Sequence, residues 1–174
     1  MYDFLWLGRG GQGAFTASRL LGCAYAKVND NHYALAFPSF GPERRGAPIK
    51  AFTKLDTKVI TDRSSITHAD FVIYTDDTLF DLNILSSLKE GGKVLLCTKE
   101  QIDNDKIVCL DGLSLALEYL KLPITNTVML GAVCALFNQI SLDCVFAAID
   151  ENMPKKLQQI NKDVVKASFD FVKA

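Results

Sequence analysis

The chain has 174 residues, 49% of them hydrophobic, and a formal net charge of −1. This length predicts one domain with a full core, and the balanced charge argues against nucleic acid as a partner because no broad basic face can neutralise a run of phosphates. Residues 1–30 contain neither a basic region followed by a long apolar stretch nor another targeting pattern, which predicts a cytoplasmic protein that does not enter membranes.

Three short apolar runs and two further extended segments predict five strands, and a helix follows the first of them. The strands are Phe4–Leu7, Tyr33–Phe37, Pro48–Leu55, Phe71–Tyr74 and Val94–Cys97. The helix covers residues 14–27. Leucines at positions 79, 82, 85 and 88 predict a second helix, ended by Gly91-Gly92, between the fourth and fifth of these strands.

The second half of the chain predicts one further strand and four helices. The strand is 107–110, and the helices are 113–120, 128–140 with Asn126 and Thr127 as caps, 141–149, and an amphipathic helix after Pro154. We therefore expect an α/β fold: a single three-layer domain over residues 1–174, with a mixed, partly parallel sheet flanked by helices on both sides.

The cysteines and histidines do not have the spacing of a metal site. Five cysteines form no C-x-x-C pair, and the two histidines have no neighbouring ligand in the sequence. Iron–sulfur and zinc sites need closely grouped ligands. We expect reduced, mostly buried thiols, and no metal or cofactor held by this chain alone.

A glycine cluster, Gly8-Arg9-Gly10-Gly11-Gln12-Gly13, lies between the first strand and the first helix. Such a turn directs N–H groups and the positive end of the helix dipole at one spot, where an anion or a partner's backbone can approach. The cluster also fits the dinucleotide pattern G-x-G-x-x-G, but the pattern needs an acidic residue at the end of the next strand. Asp30 precedes that strand, which argues against a dinucleotide site. The alternative interpretation, a tight strand-to-helix turn that uses glycine only for packing, remains open.

Residues 37–48 form a loop rich in proline and glycine that contains Arg44 and Arg45. Prolines restrict the free loop, and each arginine can offer a planar pair of donors to a carboxylate or phosphate. The alternative is a surface loop whose arginines are solvated or paired with Glu43. For Asp76 and Asp77, which follow a strand, capping of the next helix is favoured over metal binding.

Three of these segments resemble the gamma subunit, or gamma domain, of pyruvate:ferredoxin oxidoreductases within the 2-oxoacid:acceptor oxidoreductase family. Residues 8–14 resemble the opening glycine motif of that family, and residues 126–131 resemble its late helix. Residues 37–48 resemble a block that favours the pyruvate and branched-chain members over the 2-oxoglutarate ones. The resemblance covers nearly the whole chain.

The resemblance implies a heterotetrameric enzyme that decarboxylates pyruvate, forms acetyl-CoA and CO₂, and passes electrons to ferredoxin or flavodoxin. In such complexes alpha and beta subunits hold thiamine diphosphate with Mg²⁺, and a delta subunit holds the [4Fe-4S] clusters. The gamma subunit is placed near the entry of coenzyme A, and the isolated chain is expected to be inactive.

The resemblance and the anion-binding features together suggest one site. We expect Gly8, Gly10, Gly11, Gln12 and Gly13, with Arg44 and Arg45, to line the coenzyme A path or a subunit contact, and we assign no catalytic residue. The choice between coenzyme A and a subunit, the preferred 2-oxoacid, the acceptor and the stoichiometry stay open. The alternatives are a gamma subunit for 2-oxoisovalerate or another 2-oxoacid, a stand-alone nucleotide-binding protein, and a regulatory or scaffold protein that keeps the fold without the enzyme.

Overall fold

The computed structural model describes residues 1–39 and 45–174, and these contain six strands in one mixed sheet. The strands lie in the order β2-β3-β1-β4-β5-β6. Their bounds are β1 Tyr2–Arg9, β2 Tyr33–Pro38, β3 Pro48–Asp56, β4 Ala69–Tyr74, β5 Leu88–Cys97 and β6 Ile107–Leu110. Strands β1, β4, β5 and β6 are parallel neighbours, whereas β3 is antiparallel to both β1 and β2.

The five α-helices pack on one face of this sheet. They are α1 Ala14–Ala26, α2 Gly112–Tyr119, α3 Asn126–Leu136, α4 Leu142–Asn152 and α5 Lys155–Lys173. Along β1, Phe4 and Trp6 are buried with this helical layer, whereas Leu5 and Leu7 belong to a second cluster on the opposite face. This alternation is the side-chain period of a strand buried on both faces. The expected α/β class, with a mixed, partly parallel sheet flanked by helices, is confirmed, but the second face is covered by two short 3₁₀ helices rather than by α-helices.

The predicted helix over residues 79–88 is wrong. The structure has two short 3₁₀ helices, Asp77–Leu79 and Leu82–Ser87, and residue 88 already begins β5. The carboxylates of Asp76 and Asp81 each accept a hydrogen bond from the backbone N–H two residues later, so each starts a separate turn. Because the backbone is extended between the two turns, no continuous helix forms.

Gly91 and Gly92 lie inside β5 rather than ending a helix. Gly91 has a φ of 74°, and the pairing of β4 with β5 shifts register nearby, between Ala69 and Phe71. A side chain on Gly92 would approach the carbonyl oxygen of Ala69 to 3.0 Å. These glycines therefore permit an irregular section of strand where the sequence predicts a helix stop.

Helix boundaries in the second half differ by a few residues from the prediction. Asn126 and Thr127 lie inside α3 instead of capping it, and the cap residue Thr125 makes no side-chain hydrogen bond to the helix. The helix ends at Leu136 rather than at residue 140. Ser141 does cap α4, because its hydroxyl accepts a hydrogen bond from the N–H of Cys144. None of the helices in the described residues is long and apolar enough to cross a membrane.

Helices α3 and α5 pack closely because a glycine lies where they meet. A side-chain carbon on Gly131 would come within 3.0 Å of both the hydroxyl of Ser168 and the backbone carbonyl of Val165. Thr127 on α3 also donates a hydrogen bond of 2.7 Å to the buried Asn161 on α5. The helical layer therefore depends on a close approach that only glycine permits at position 131.

We expect Gly131→Ala to destabilise the chain by about 3 kcal/mol, because the new methyl group forces two buried helices apart. Chemical denaturation, monitored by circular dichroism, measures the change. Ser168→Ala is the control and loses only one hydroxyl, at a cost of about 1 kcal/mol. The double variant should be no more stable than Gly131→Ala, because the clash with the Val165 carbonyl remains. Recovery of stability in the double variant would contradict this explanation.

Candidate functional site

The structure brings together two segments that the sequence singled out, the glycine turn and the end of the proline-rich loop. The N–H of Gly10 donates to the carbonyl of Ala47 at 2.8 Å, and the N–H of Gly46 donates to the carbonyl of Gly10 at 3.0 Å. The guanidinium of Arg9 also donates to the carbonyl of Gly46 at 3.1 Å. The pairing of β1 with β3 thus continues past the strand ends and fixes one segment against the other.

The amide of Gln12 joins the turn to the next parallel strand. Its oxygen accepts hydrogen bonds from the N–H of Arg9 at 2.8 Å and from the hydroxyl of Thr75 at 3.3 Å. Its nitrogen donates to the carboxylate of Asp76 at 2.8 Å. Since Thr75 and Asp76 directly follow β4, one side chain holds the carboxyl ends of β1 and β4 together.

Asp76 is the anionic centre of this arrangement. Its carboxylate also accepts a hydrogen bond from the N–H of Thr78 at 3.0 Å and lies 3.3 Å from Nε of Arg9. Partial burial by itself raises the pKa of the Asp76 carboxyl. The hydrogen bonds from Thr78 and Gln12 and the charge of Arg9 outweigh burial, so the pKa is lowered overall. The expected capping role of Asp76 is confirmed, for a 3₁₀ helix rather than an α-helix.

Two glycines of the motif are required by close packing. A side-chain carbon on Gly8 would lie within 3.0 Å of the hydroxyl of Thr75. Gly13, the cap residue of α1, has a left-handed backbone with φ 78°, and a side chain there would clash with Asn126. Asn126 in turn lies 3.4 Å from the carbonyl of Gly13, to which it donates. The late-helix motif therefore contacts the glycine motif directly.

Gly11 and Arg45 lie on the outer side of the turn, the side that faces the end of β3. Gly11 is exposed, with φ 93°, and the Cγ atom of the exposed Arg45 lies 3.9 Å from the position of a side-chain carbon on Gly11. Arg44 lies outside the described residues. The N–H groups of Arg9, Gly10 and Gln12 are used within the protein. The turn therefore offers an anion fewer N–H groups than the sequence alone suggests.

A cleft of about 480 Å³ lies beside the turn, at the carboxyl ends of β1, β4, β5 and β6. Its lining includes Gln12, Thr75–Thr78, Cys97–Glu100, Asp111, Leu113, Pro123 and Thr125. This is the point where the connections from β1 and β4 diverge to opposite sides of the sheet, which is where open α/β sheets bind ligands. Sequence reasoning missed the residues after β5 and β6, although polar residues directly after a buried strand are a usable signal.

The cleft is acidic. Four carboxylates, those of Asp76, Asp77, Glu100 and Asp111, line it together with one lysine, Lys99. Asp111 caps α2 by accepting hydrogen bonds from the N–H and the hydroxyl of Ser114. Burial alone raises the pKa of the Asp111 carboxyl, but these hydrogen bonds outweigh it, so the pKa is lowered. A phosphate is therefore disfavoured inside the cleft.

The thiols have no metal partner in the part of the chain that the structure describes. All five cysteines are free, and two of them, Cys97 and Cys134, are buried. Burial raises the pKa of Cys97 to about 11, so this cleft residue is a neutral thiol at physiological pH. Across residues 1–39 and 45–174, no group of three His, Cys, Asp or Glu side chains could hold a metal ion.

The position of β2 does not fit a dinucleotide site. Strand β2 runs in the same direction as β1, but β3 lies between them, so the two are separated by two strand spacings, about 9–10 Å. In the dinucleotide fold the second strand is the direct neighbour of the first and ends in an acidic residue. Here β2 ends at Pro38, and Ser39 follows.

Comparison with known proteins gives matches over almost the whole chain. Residues 3–171 match the family model described as pyruvate ferredoxin/flavodoxin oxidoreductase. Pyruvate synthase subunit PorC of Methanothermobacter marburgensis is 40% identical over 99% of this chain and 98% of its own length. The pyruvate/ketoisovalerate oxidoreductases common subunit gamma of Thermococcus kodakarensis is 37% identical over 98% of this chain and 96% of its own length.

Solved structures show the same fold. The crystal structure of pyruvate oxidoreductase subunit PORC from Thermotoga maritima has a TM-score of 0.82 at 29% identity, over 97% of this chain and 95% of that one. A 2-oxoglutarate:ferredoxin oxidoreductase from Magnetococcus marinus, solved with 2-oxoglutarate, coenzyme A and succinyl-CoA, has a TM-score of 0.80 at 15% identity. The match covers 99% of this chain but 31% of that chain, and at this identity it shows the fold alone.

We expect Gly13→Ala to destabilise the chain more than Gly91→Ala does. Both positions have a left-handed backbone, which costs a residue with a side chain about 1–2 kcal/mol, but only position 13 adds a clash with Asn126. Gly91 has no atom within 4 Å of the added carbon and is therefore the matched control. Thermal unfolding of the two variants measures the difference, and equal losses would show that Asn126 moves aside without cost.

Proposed function

The chain belongs to the pyruvate ferredoxin/flavodoxin oxidoreductase family, and we propose that it acts as the gamma subunit of a multi-subunit pyruvate:ferredoxin oxidoreductase. The resemblance read from the three sequence segments is confirmed at the level of the family. The enzyme so proposed decarboxylates pyruvate oxidatively, joins the acetyl group to coenzyme A and passes the electrons to ferredoxin.

The observation that carries this proposal is the end-to-end similarity to named subunits. The PorC and gamma relatives match 98–99% of this chain and 96–98% of their own lengths. Each is named as one subunit of an oxidoreductase, and the chain matches that subunit over nearly its whole length. We place it in the cytoplasm, with alpha, beta and delta subunits as partners and ferredoxin or flavodoxin as the acceptor.

The redox and thiamine chemistry is assigned to those other subunits. The absence of any group of three His, Cys, Asp or Glu side chains that could hold a metal ion, in the part of the chain that the structure describes, supports this assignment. We assign no catalytic residue to this chain and expect it to be inactive alone. Its contribution is to bind or guide a substrate, or to hold the complex together.

We place the role of the chain at the glycine turn and its arginines, on the path of coenzyme A or at a subunit contact. Coenzyme A carries a diphosphate and a 3′-phosphate, and these need cationic donors. The exposed Arg45 lies beside Gly11 on the outer side of the turn, whereas the cleft on its inner side carries four carboxylates. The charge distribution therefore favours the outer side for a phosphate.

One observation supports a second substrate. Some relatives are named as a gamma subunit common to pyruvate and ketoisovalerate oxidoreductases, so a gamma subunit can serve both enzymes in those organisms. A role with 2-oxoisovalerate is thus the second candidate. A stand-alone nucleotide-binding protein is disfavoured, because β3 separates β2 from β1.

Co-purification tests the function directly. A tagged chain isolated from its native host should bring with it subunits that contain thiamine diphosphate and iron–sulfur clusters, detected by cofactor analysis and by the brown colour of the clusters. The isolated complex should reduce ferredoxin in the presence of pyruvate and coenzyme A. A colourless chain without partners would count against the proposal.

Replacing Arg44 and Arg45 together by Ala tests the site in the assembled complex. Loss of charged hydrogen bonds to phosphate should raise the KM for coenzyme A by about tenfold or more, while the KM for the 2-oxoacid stays nearly unchanged. Arg63→Ala is the control, since Arg63 is exposed in the segment between β3 and β4, far from the turn in the sequence. Failed assembly would favour the subunit-contact alternative, and no change in either property would exclude both.

A further inference from the structure

We infer that the exposed face of α2 and the acidic cleft beside it form a docking surface for a segment of another subunit, one that presents a lysine or arginine between apolar side chains. This inference rests on the proposed function, because it takes the chain to be one subunit of a complex. It concerns side chains on the opposite side of the turn from Arg45.

The first observation is an apolar face on α2 that no described residue covers. Leu113 and Leu117 lie one helical turn apart on the same side of the helix and are 41% and 47% exposed. Leu122 follows the helix and is 53% exposed. The opposite side of α2, with the buried Ala116, belongs to the core under the helical layer. Clustered exposed leucines of this kind mark contact surfaces.

The second observation is how α2 ends beside these leucines. Lys121 is the non-glycine residue with a positive φ, 58°, in the described part of the chain. Its ammonium group donates to the carbonyl of Glu118 at 2.7 Å. A left-handed residue directly after the C-cap is a common way for a helix to end. Here it turns the chain so that the exposed Leu122 lies directly after the helix.

The third observation is the charge next to the apolar face. Leu113 belongs to both surfaces, because it also lines the cleft. Within the cleft Asp76 pairs with Arg9, and Asp111 lies 3.9 Å from Lys99. Asp77 and Glu100 form no ion pair with any residue that the structure describes, and both are exposed. These two carboxylates can therefore accept a cation from outside.

Charge complementarity selects the occupant. A phosphate-bearing ligand would face four carboxylates, whereas a lysine or arginine would pair with the two that form no ion pair with a described residue. Apolar residues flanking that cation would cover Leu113, Leu117 and Leu122. A protein segment that is basic and partly apolar therefore matches both parts of the surface. Since the chain belongs to a family of multi-subunit enzymes, we take that segment to come from another subunit of the complex.

The test measures binding of the purified chain to the complex that lacks it, by titration at low salt. We expect the charge-reversal variant Asp77→Lys with Glu100→Lys, and separately Leu117→Ser, to weaken association by more than about tenfold. The matched controls are Glu90→Lys, an exposed carboxylate on β5 outside the cleft, and Leu157→Ser on α5, where the leucine is 41% exposed. The controls should bind like the unaltered chain.

A photo-crosslinking residue in place of Leu117 gives an independent readout that does not depend on weakened binding. It should crosslink to a peptide of another subunit that contains lysine or arginine, whereas the same residue in place of Leu157 should not. If the unaltered chain fails to bind the rest of the complex, the proposed function is wrong. If it binds and the variants bind equally well, or if the variants alter only the KM for coenzyme A, this inference is wrong and the proposed function stands.

Discussion

The side-chain amide of Gln12 is the interaction on which the site depends. It accepts from the backbone of Arg9 and the hydroxyl of Thr75, and it donates to Asp76. If one partner of a half-buried network such as this is removed, the remaining polar groups are left without hydrogen bonds from protein or water, and the folded state is destabilised. The amide thus fixes the glycine turn relative to β4, and with it the boundary between the outer side of the turn and the cleft.

The insertion of β3 between β1 and β2 has a comparable effect on function. It takes the place that a second parallel strand has in a dinucleotide-binding fold, and it brings Gly46 and Ala47 against Gly10. The same six-residue glycine pattern therefore serves a different purpose. It allows a second backbone segment to approach the strand end, which glycine permits because it has no side chain to interfere.

The sequence predicted the strands well and the connections less well. Apolar runs such as Val94–Cys97 are strongly patterned, and every predicted strand is present. The leucines at 79, 82, 85 and 88 have helical spacing, yet Asp76 and Asp81 each start a separate turn, so local side-chain hydrogen bonds outweigh the periodicity. Helix propensity could not distinguish one continuous helix from two separate turns, because aspartate is favoured both at helix N-caps and at the start of turns.

The candidate site was predictable only in part, because its residues are far apart in the sequence. The contacts of Gly10 with Ala47 and of Gly13 with Asn126 join residues that are far apart in the chain, and hydrophobic periodicity carries no information on such pairs. The family resemblance grouped the same three segments without giving a contact, and the structure supplies the contact. Lys99, Glu100 and Asp111 belonged to no motif and enter the site only because parallel strands end at the same edge of the sheet.

The distribution of charge gives the two sides of the turn different chemistry. Both sides are within reach of the same glycine residues, but the exposed Arg45 is on one side and four carboxylates are on the other. Because opposite charges attract, an anion bound near Arg45 and a cation bound in the cleft do not oppose each other. One edge of one sheet can therefore present a surface suited to an anion beside a surface suited to a cation, with the hydrogen-bonded pair Gln12 and Asp76 between them.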